Sequence, residues 1–325
     1  MNVLLIERTD NIAIPAAQVP AHLVKHLIPY ARTYFAGDEQ GELLELNIKI
    51  GPFSFWMHYI NMRTLTTLNP FTADHVLALH HWFGGNIPAQ LRDGHPVILG
   101  DNECNLFNLL PEVHTAWPAI DSSLSIHLNL DPTRIKDVAE KYPAFKALEQ
   151  LPLFDQSALI NGFPYKIDEV RRETLNRIIS CKYVHQQAKY FFRRNFLDMY
   201  LQFLTQLKNE KLPKLELDQR TIDRLSLLKM YLSNHPDFDI TLPAMAVKSQ
   251  LSEEVITRGF EQLFNISFDD YLLQVRMYRA YDLLMQTPSG KLAVAHKTGY
   301  YSYMAFIRAF IKFFGCDPVT LRREQ

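Results

Sequence analysis

The chain has 325 residues, 47% of them hydrophobic and 21% charged, with a formal net charge of -1 at pH 7. This length accommodates two or three domains, and the near-zero charge excludes binding of nucleic acid through bulk attraction. The three cysteines are far apart, no stretch approaches the roughly 20 apolar residues of a membrane helix, and the apolar run at residues 3–6 is too short for a secretory signal. We therefore expect a cytoplasmic protein with reduced thiols and no membrane partner.

Residues 1–130 are predicted to form β-structure. Residues 41–62 contain two apolar-rich runs that break at Gly51 and Pro52, a pattern typical of a hairpin. Further short runs, separated by polar or Gly/Pro turns, lie at residues 75–83, 95–100, 104–110 and 123–130. Many short strands at this spacing favour a sandwich or a small barrel.

Residues 131–207 are predicted to be helical. Asp131 and Pro132 form a helix start, with the aspartate as N-cap and the proline at the first helical position. Between residues 188 and 207 the apolar residues recur at intervals of three and four, and they include Phe192, Phe196, Met199 and Phe203. This face is interpreted either as a dimer seam or as a surface that packs on the β-domain. Residues 208–216, which are charged and contain Pro213, are predicted to be a linker.

The C-terminal segment, residues 217–325, contains an internal repeat with an offset of 50 positions. The matching pairs are Ser252 and Ser302, Ile256 and Phe306, Arg258 and Arg308, Phe260 and Phe310, and Phe264 and Phe314. Each copy reads as a Ser-capped helix with one apolar side. A short helix precedes each copy and places an alanine, Ala246 or Ala295, four residues before the turn, where two helices cross closely. The pattern predicts two helix-turn-helix units.

Residues 267–286 connect the two units and are predicted to form one helix. At about 19 residues it would be roughly 28 Å long. Such a helix would hold the second helices of the two units close to one turn of DNA apart, about 34 Å. The spacing therefore suits entry into two successive major grooves.

This region resembles the AraC/XylS family of regulators over about 105 residues. The second unit carries the resemblance through Ala295, Gly299, Tyr300, Ser302, Phe306, Arg308, Phe310, Phe314, Gly315, Pro318 and Arg322, and the first unit and connecting helix through Ala246, Leu251, Ser252, Ile256, Arg258, Phe260, Arg276, Ala280 and Leu284. The resemblance implies that each second helix reads the major groove. It also implies an α+β chain with an N-terminal cupin-like barrel or sandwich, a helical dimerisation segment and a C-terminal DNA reader. Lys291 and Asn265 depart from the family pattern, which usually has an aliphatic residue and glycine there.

The candidate base contacts lie on the outward side of each second helix. Arg258 and Arg308 are the best candidates, because a guanidinium can pair twice with guanine O6 and N7. Thr257 can bond a base or touch a thymine methyl, and Glu254 can accept from a cytosine amine. Among the candidate residues of the second unit are also Ser302, together with Tyr303 and Met304 as apolar or stacking contacts at the groove edge.

Local charge assigns the phosphate contacts to the second unit. Lys297, Lys312 and Arg322 are the candidates. Residues 287–325 contain six basic residues against two acidic ones, whereas residues 251–286 contain three basic residues against six acidic ones. We therefore expect the second unit to anchor the protein on DNA.

For the β-domain the sequence leaves three interpretations open: an effector-sensing domain, a ligand-free dimerising domain, or a cupin metal enzyme. An effector pocket would be lined by Phe53, Phe55, Trp56 and Trp82, although ordinary core packing explains these aromatics equally well. Seven histidines lie between residues 58 and 127, but two of them, His80 and His81, are adjacent and would point to opposite faces of a strand. We predict no metal, no cofactor, no catalytic residues and no enzyme.

The sequence thus predicts a sequence-specific DNA-binding transcription regulator that acts as a homodimer. Its expected partners are double-stranded promoter or operator DNA, a small-molecule effector and, for an activator, RNA polymerase. The identity of the effector and the operator sequence stay open.

Overall fold

The computed structural model describes residues 13–92, 96–151, 155–161, 163–210, 214–237 and 240–323, with backbone only for residues 322 and 323. The chain divides into two compact units. The first consists of Met1–Ile167 and Leu175–Val184, and the second consists of Asp168–Thr174 and His185–Gln325. This division differs from the predicted boundaries at residues 130, 207 and 216, because residues 168–174 and 185–207 of the predicted helical segment belong to the C-terminal unit.

The first unit is built on two antiparallel sheets. Its strands are β1 Arg32–Gly37, β2 Gly41–Ile50, β3 Phe53–Met62, β4 Val76–Phe83, β5 Ile87–Gln90, β6 Pro96–Leu99, β7 Glu103–Leu109, β8 Thr115–Ala116, β9 Asp121–Leu130, β10 Ala158–Leu159 and β11 Tyr165–Lys166. The larger sheet has the order β1-β2-β3-β9-β4-β7-β10, with β11 also paired to β7, and the smaller sheet has the order β6-β5-β8. Two short helices follow β9, namely α1 Ile135–Lys141 and α2 Lys146–Glu149.

The predicted hairpin and the predicted helix start are both present. Ile50 pairs with Phe53, and Gly51 occupies the tight turn with φ +58°, a left-handed conformation that glycine adopts without a steric penalty. At the helix start, the Asp131 carboxylate accepts a hydrogen bond from the backbone N–H of Thr133 at 2.9 Å. The first turn there is 3-10, and α1 begins three residues later.

The two sheets of the first unit pack face to face. Trp82 of the larger sheet belongs to one apolar cluster with Ile87 and Ala116 of the smaller sheet. A second cluster joins Ala78 and Phe107 to partly buried residues of β6. The predicted α+β class with an N-terminal antiparallel domain is confirmed. Among the described pairings none closes the larger sheet on itself, so the cupin-like barrel stays a prediction.

The strand register contradicts the predicted pocket of four aromatic residues. Trp56 lies opposite His127 and His127 opposite His80, so Trp56 shares a sheet face with His80 and, two positions along β4, with Trp82. Phe53 and Phe55 alternate with Trp56 along β3 and therefore lie on the other face, where both are buried. The prediction that all four line one pocket is wrong, because a sheet separates them.

A row of histidines lies on the face that carries Trp82. The Ser125 hydroxyl lies 3.1 Å from His80 Nε2 and 2.9 Å from His127 Nε2, and His58 Nδ1 is 2.9 Å from Glu45 Oε1. Burial lowers the pKa of His80 to about 3, and it also lowers the pKa of His127 well below its ordinary value. His81 lies on the opposite face, as the alternation along the strand predicts. Within the described residues no group of three or more His, Cys, Asp or Glu side chains is arranged to hold a metal ion, and His95 lies outside them.

The second unit is helical. Its helices are α4 His185–Asn209, α5 Gln219–Asn234, α6 Leu242–Ser249, α7 Glu253–Phe264, α8 Phe268–Gln286, α9 Lys291–Lys297, α10 Tyr303–Phe314 and α11 Pro318–Arg323, and it also takes the first part of α3 Glu169–Ile179. None of the helices in the described residues is both long enough and apolar enough to cross a membrane.

The prediction of a dimer seam on α4 is wrong. The four residues assigned to the seam have no solvent-exposed area, namely Phe192, Phe196, Met199 and Phe203. They are part of the protein interior, so they leave no apolar surface for a second copy. The amphipathic period indicated burial correctly but did not identify the surface that covers the helix.

Polar and aromatic contacts attach α4 to the C-terminal helices. The Tyr278 hydroxyl of α8 donates to Asp198 Oδ2 at 2.7 Å, and Arg194 Nη2 lies 2.6 Å from Asp198 Oδ1. The same arginine lies 3.6 Å from the centroid of the Phe313 ring of α10. The Tyr281 hydroxyl donates to the backbone carbonyl of α4 at Gln187. Because Asp198 is fully buried, these partners compensate its desolvation.

The start of α3 is also part of this unit. Val170 belongs to the apolar cluster that contains Leu225 and Phe260, and Lys229 Nζ of α5 lies 2.5 Å from Glu173 Oε1 and 3.2 Å from Glu169 Oε2. Part of the predicted linker is also hydrogen-bonded to this unit. The Leu215 backbone exchanges two hydrogen bonds with the side-chain amide of Gln262 on α7, while residues 211–213 lie outside the described residues.

Candidate nucleic-acid interface

The first helix-turn-helix unit consists of α6 and α7. The turn begins at Gln250, which has φ +55°, and the backbone N–H of Leu251 donates to the Ala246 carbonyl at 3.1 Å. The Ser252 hydroxyl then caps α7 by accepting from the N–H of Val255 at 3.2 Å. The cap satisfies one of the four backbone donors that a helix leaves unpaired at its start.

The second unit, α9 and α10, repeats this arrangement. Gly299 has φ +75°, and the N–H of Tyr300 donates to the Ala295 carbonyl at 3.0 Å. The Ser302 hydroxyl caps α10 by accepting from the N–H of Ala305 at 3.3 Å. The left-handed residue follows the alanine by four positions in both units, as the sequence predicts. It precedes the serine by two positions in the first unit and by three in the second, so the second turn is one residue longer.

Small residues and left-handed caps fix how the second helix of each unit packs. A Cβ added to Gly259 on α7 would lie 2.5 Å from Leu225 Cδ1 of α5, so a larger residue at this position would require the Leu225 side chain to move. Helices α7 and α10 end at Asn265 (φ +52°) and Gly315 (φ +75°). Asparagine is tolerated in place of the family's glycine because it visits the left-handed region, and its Nδ2 donates to Asp168 Oδ2 at 2.9 Å.

The outward side of α7 carries charged residues. Arg258 Nη1 forms an ion pair with Glu254 Oε1 at 3.1 Å, and the side chains of these residues are 43% and 71% exposed. Thr257 is exposed, but its hydroxyl donates to the Glu253 carbonyl at 2.8 Å. The methyl group and the acceptor lone pairs of the hydroxyl are therefore left for a base, while Arg258 is paired with the carboxylate one turn away.

The outward side of α10 is largely apolar. Met304 is 61% exposed and Arg308 and Lys312 are exposed, whereas Tyr303 is half-buried and stacks on Phe306 with 6.4 Å between ring centroids. Lys297, at the end of α9, is also exposed. Arg322 lies on α11, and its side chain is outside the described residues.

The structure adds exposed apolar residues that sequence reasoning did not select. Leu292 on α9 is 55% exposed and Tyr301 in the turn is 78% exposed. The periodicity of apolar residues is compatible with either burial or exposure of these two residues. The sequence therefore contains no signal that predicts their exposure. With Met304 and Ile311, they give the second unit a more apolar exposed surface than the first.

A scan against protein families matches residues 245–324 to a family model described as a helix-turn-helix domain. The matched residues run from the middle of α6 to the last helix and thus contain both turns, both capped helices and the connecting helix α8. Residues 245–324 are an AraC-type helix-turn-helix domain.

Two curated relatives are similar to this chain over 81 and 94 residues. The Msm operon regulatory protein of Streptococcus mutans is 33% identical over 81 residues, which are 25% of this chain and 29% of that protein. The uncharacterized HTH-type transcriptional regulator YdiP of Escherichia coli is 30% identical over 94 residues, which are 29% and 31% of the two chains. The chain thus matches less than a third of the length of either relative.

A solved structure also aligns with the AraC-type domain. It is the C-terminal domain of AraT, a response regulator of Geobacillus stearothermophilus, at 29% identity, with a TM-score of 0.31 and coverage of 31% of this chain and 85% of that one.

Proposed function

We propose that the protein is a transcription regulator that binds specific DNA sequences through both helix-turn-helix units. The observation that carries the proposal is the geometry of the repeat. Two capped helices, α7 and α10, each present an outward arginine at the same position, and the 19-residue helix α8 connects the units. Two such units on one chain suit two successive major grooves of one duplex.

The side chains divide into base contacts and phosphate contacts. Arg258 and Arg308 are proposed to pair with guanine, with Thr257 and Glu254 beside the first and Tyr303 and Met304 beside the second. Lys297, Lys312 and Arg322 are proposed to contact phosphates. The Ser302 hydroxyl accepts from the helix, which leaves its proton for a phosphate oxygen.

The first unit is proposed to sense a small-molecule effector and to regulate the DNA-binding unit, in a cytoplasmic homodimer that recruits RNA polymerase where it activates. A ligand-free dimerising role is the alternative. Dimerisation would use a surface other than α4, because the apolar face of that helix is buried within the chain. The proposal includes no enzymatic activity.

The test is fluorescence anisotropy of the purified protein with DNA, carried out over a salt series. The DNA is taken from upstream of the protein's own gene and from selection out of random sequence, with and without a metabolite panel. Arg308→Ala is expected to weaken specific binding about 5- to 150-fold, the range of one bidentate arginine–guanine contact. Arg134→Ala is the control, since it removes the same charge from the first unit at an exposed surface pair and should leave binding unchanged. Failure to select any sequence would refute the proposed function.

A further inference from the structure

Helices α7 and α10, which are proposed to face DNA, carry different side chains at equivalent positions. An outward stripe runs along each helix at positions i, i+4 and i+7, which lie on one face. On α7 the stripe is Glu254, Arg258 and Glu261, and on α10 it is Met304, Arg308 and Ile311. The arginine is common to both stripes, whereas the flanking residues are carboxylates in one unit and apolar in the other.

The apolar flanks on α10 are exposed rather than packed in the core. Met304 is 61% exposed and Ile311 is 41% exposed, and Tyr301 in the turn before α10 is 78% exposed. The residues that hold α10 in the core are on its other side, where Phe306 and Phe310 have no exposed area. An apolar group of this kind beside an arginine is typical of a contact surface.

Charge distinguishes the two helices further. Within its bounds, α7 has three carboxylates and one basic residue, whereas α10 has two basic residues and no carboxylate. Phosphates on both sides of the major groove therefore attract α10 and repel α7. Glu254, moreover, holds the Arg258 guanidinium through the 3.1 Å ion pair, while Arg308 has no carboxylate on its own helix.

We propose that α10 reads thymine C5-methyl groups through Met304 and Ile311, so that its half of the site is A·T-rich around the base contacted by Arg308. The inference rests on the proposed function, because it specifies the DNA that the same surface selects. The thymine methyl is the one apolar group on the base edges of the major groove, and it matches side chains that offer no hydrogen bond. The α7 stripe, with two carboxylates, matches amino donors and the guanine edge instead.

The flanking charges make DNA a better occupant of this surface than a protein. Lys312 lies on the exposed side of α10, and Lys297 lies on the exposed side of the preceding helix. The internal repeat also places Met304 and Ile311 in register with Glu254 and Glu261, on the side that carries the common arginine. A protein that docked on the stripe would have to cover Arg308 and leave its guanidinium without a base or phosphate.

The experiment uses the full chain and a site selected from random duplexes. Each thymine of that site is replaced in turn by deoxyuridine, which removes the C5-methyl and keeps every hydrogen-bonding group. Binding is measured by fluorescence anisotropy at fixed salt. Loss of one buried methyl is expected to raise the Kd about fourfold. At least two thymines in one half of the site should show this effect. That half should be the one in which Arg308→Ala reduces the preference for a particular base.

Variants then connect each methyl to a side chain. In Met304→Ala the fourfold penalty at one thymine should disappear, and in Ile311→Ala the penalty at another should disappear. Glu254→Ala and Glu261→Ala, the matched positions of α7, should keep both penalties. All four changes introduce alanine on a helix, at exposed positions except for the half-buried Glu261, and thermal unfolding checks that each variant is folded.

The outcomes separate this inference from the proposed function. If the chain selects DNA and no thymine shows a methyl penalty, or if the penalties persist in both α10 variants, the reading by α10 is refuted while the regulator function stands. If affinity for DNA is also unchanged in those variants, the stripe makes no contact with DNA. If the chain selects no DNA, the proposed function itself fails.

Discussion

Buried histidines give the first unit a dependence on pH. His80 is 2% exposed, and its pKa is lowered to about 3, first by burial and then by the proximity of His58. The pKa of His127 is lowered in the same direction, mainly by burial. The neighbouring groups that face them are His58, Ser125 and Glu45, from three different strands. The folded unit therefore keeps His80 neutral, whereas the unfolded chain binds a proton near pH 6.5.

Lowering the pH from 7 to 5 is expected to destabilise this unit. Between pH 3 and 6.5 the unfolded chain binds more protons than the folded chain, so the free energy of unfolding falls as the pH falls. His80 alone contributes about 2 kcal/mol at pH 5, and His127 acts in the same direction. Urea unfolding at several pH values measures the effect through tryptophan fluorescence, because all three tryptophans of the chain lie in the first unit.

His80→Gln should reduce that pH dependence. Glutamine does not titrate, so the variant is expected to lose about 2 kcal/mol of the difference in unfolding free energy between pH 7 and pH 5. An unchanged slope with the variant folded would show that His80 is protonated in the native state, contrary to its burial.

At the scale of elements, the ends of α7 and α10 depend on residues that adopt the left-handed conformation. Gly315 ends α10 with φ +75°, and a Cβ there would lie 2.9 Å from Arg193 Nη2. The backbone conformation alone disfavours a side chain by roughly 1–2 kcal/mol. By contrast, Gly290, before α9, has a negative φ and no atom within 4 Å of an added Cβ.

Gly315→Ala is expected to lower the free energy of unfolding by about 1–2 kcal/mol. Gly290→Ala, the matched control, should be close to neutral, because the restriction of the unfolded chain offsets the weaker N-cap that alanine gives α9. Chemical denaturation followed by far-UV circular dichroism compares the two. Equal losses in both variants would contradict the assignment of the cost to the left-handed cap.

Local signals explain which elements were predictable. The 50-residue repeat carries its caps, its turn residues and its apolar sides within each unit, so α7, α10 and their serines could be located from the sequence. The hairpin at Gly51 could likewise be predicted from neighbouring residues alone. Short strands such as β5, which contains Pro88, and β1 have no clear alternation and were not predicted. The dimer seam on α4 failed because the partner of Asp198 is Tyr278, 80 residues away, and no local pattern encodes that contact.

At the scale of the whole molecule, the DNA-binding unit is larger than the sequence boundary at residue 217 indicates. Helix α4 contributes 13 buried residues, and its contacts cover Tyr278, Tyr281 and Phe313. The AraC-type domain is thus one part of a compact unit that begins at residue 168, with a gap at residues 175–184.

A fragment of residues 217–325 is expected to be less stable than one of residues 185–325. Removal of α4 exposes Tyr278, Tyr281 and Phe313, and re-exposed aromatics of this size predict a loss of at least about 3 kcal/mol. Urea unfolding measured by circular dichroism compares the two fragments, with Phe196→Ala in the longer one as an intermediate case. Identical midpoints would show that α4 contributes nothing to the stability of the domain.

The position of Asp168–Thr174 in the sequence also determines when the second unit can be completed during translation. Glu173 and the Tyr271 hydroxyl that donates to it are 98 residues apart, which a ribosome adding 5–20 residues per second needs about 5 to 20 s to span. Five of the seven residues in this segment are charged, so it stays hydrated while the rest of its unit is synthesised. The segment is synthesised before α4 and before all the helices that pack against it. The DNA-binding unit is therefore completed late in translation, around Asp168–Thr174 as its first part.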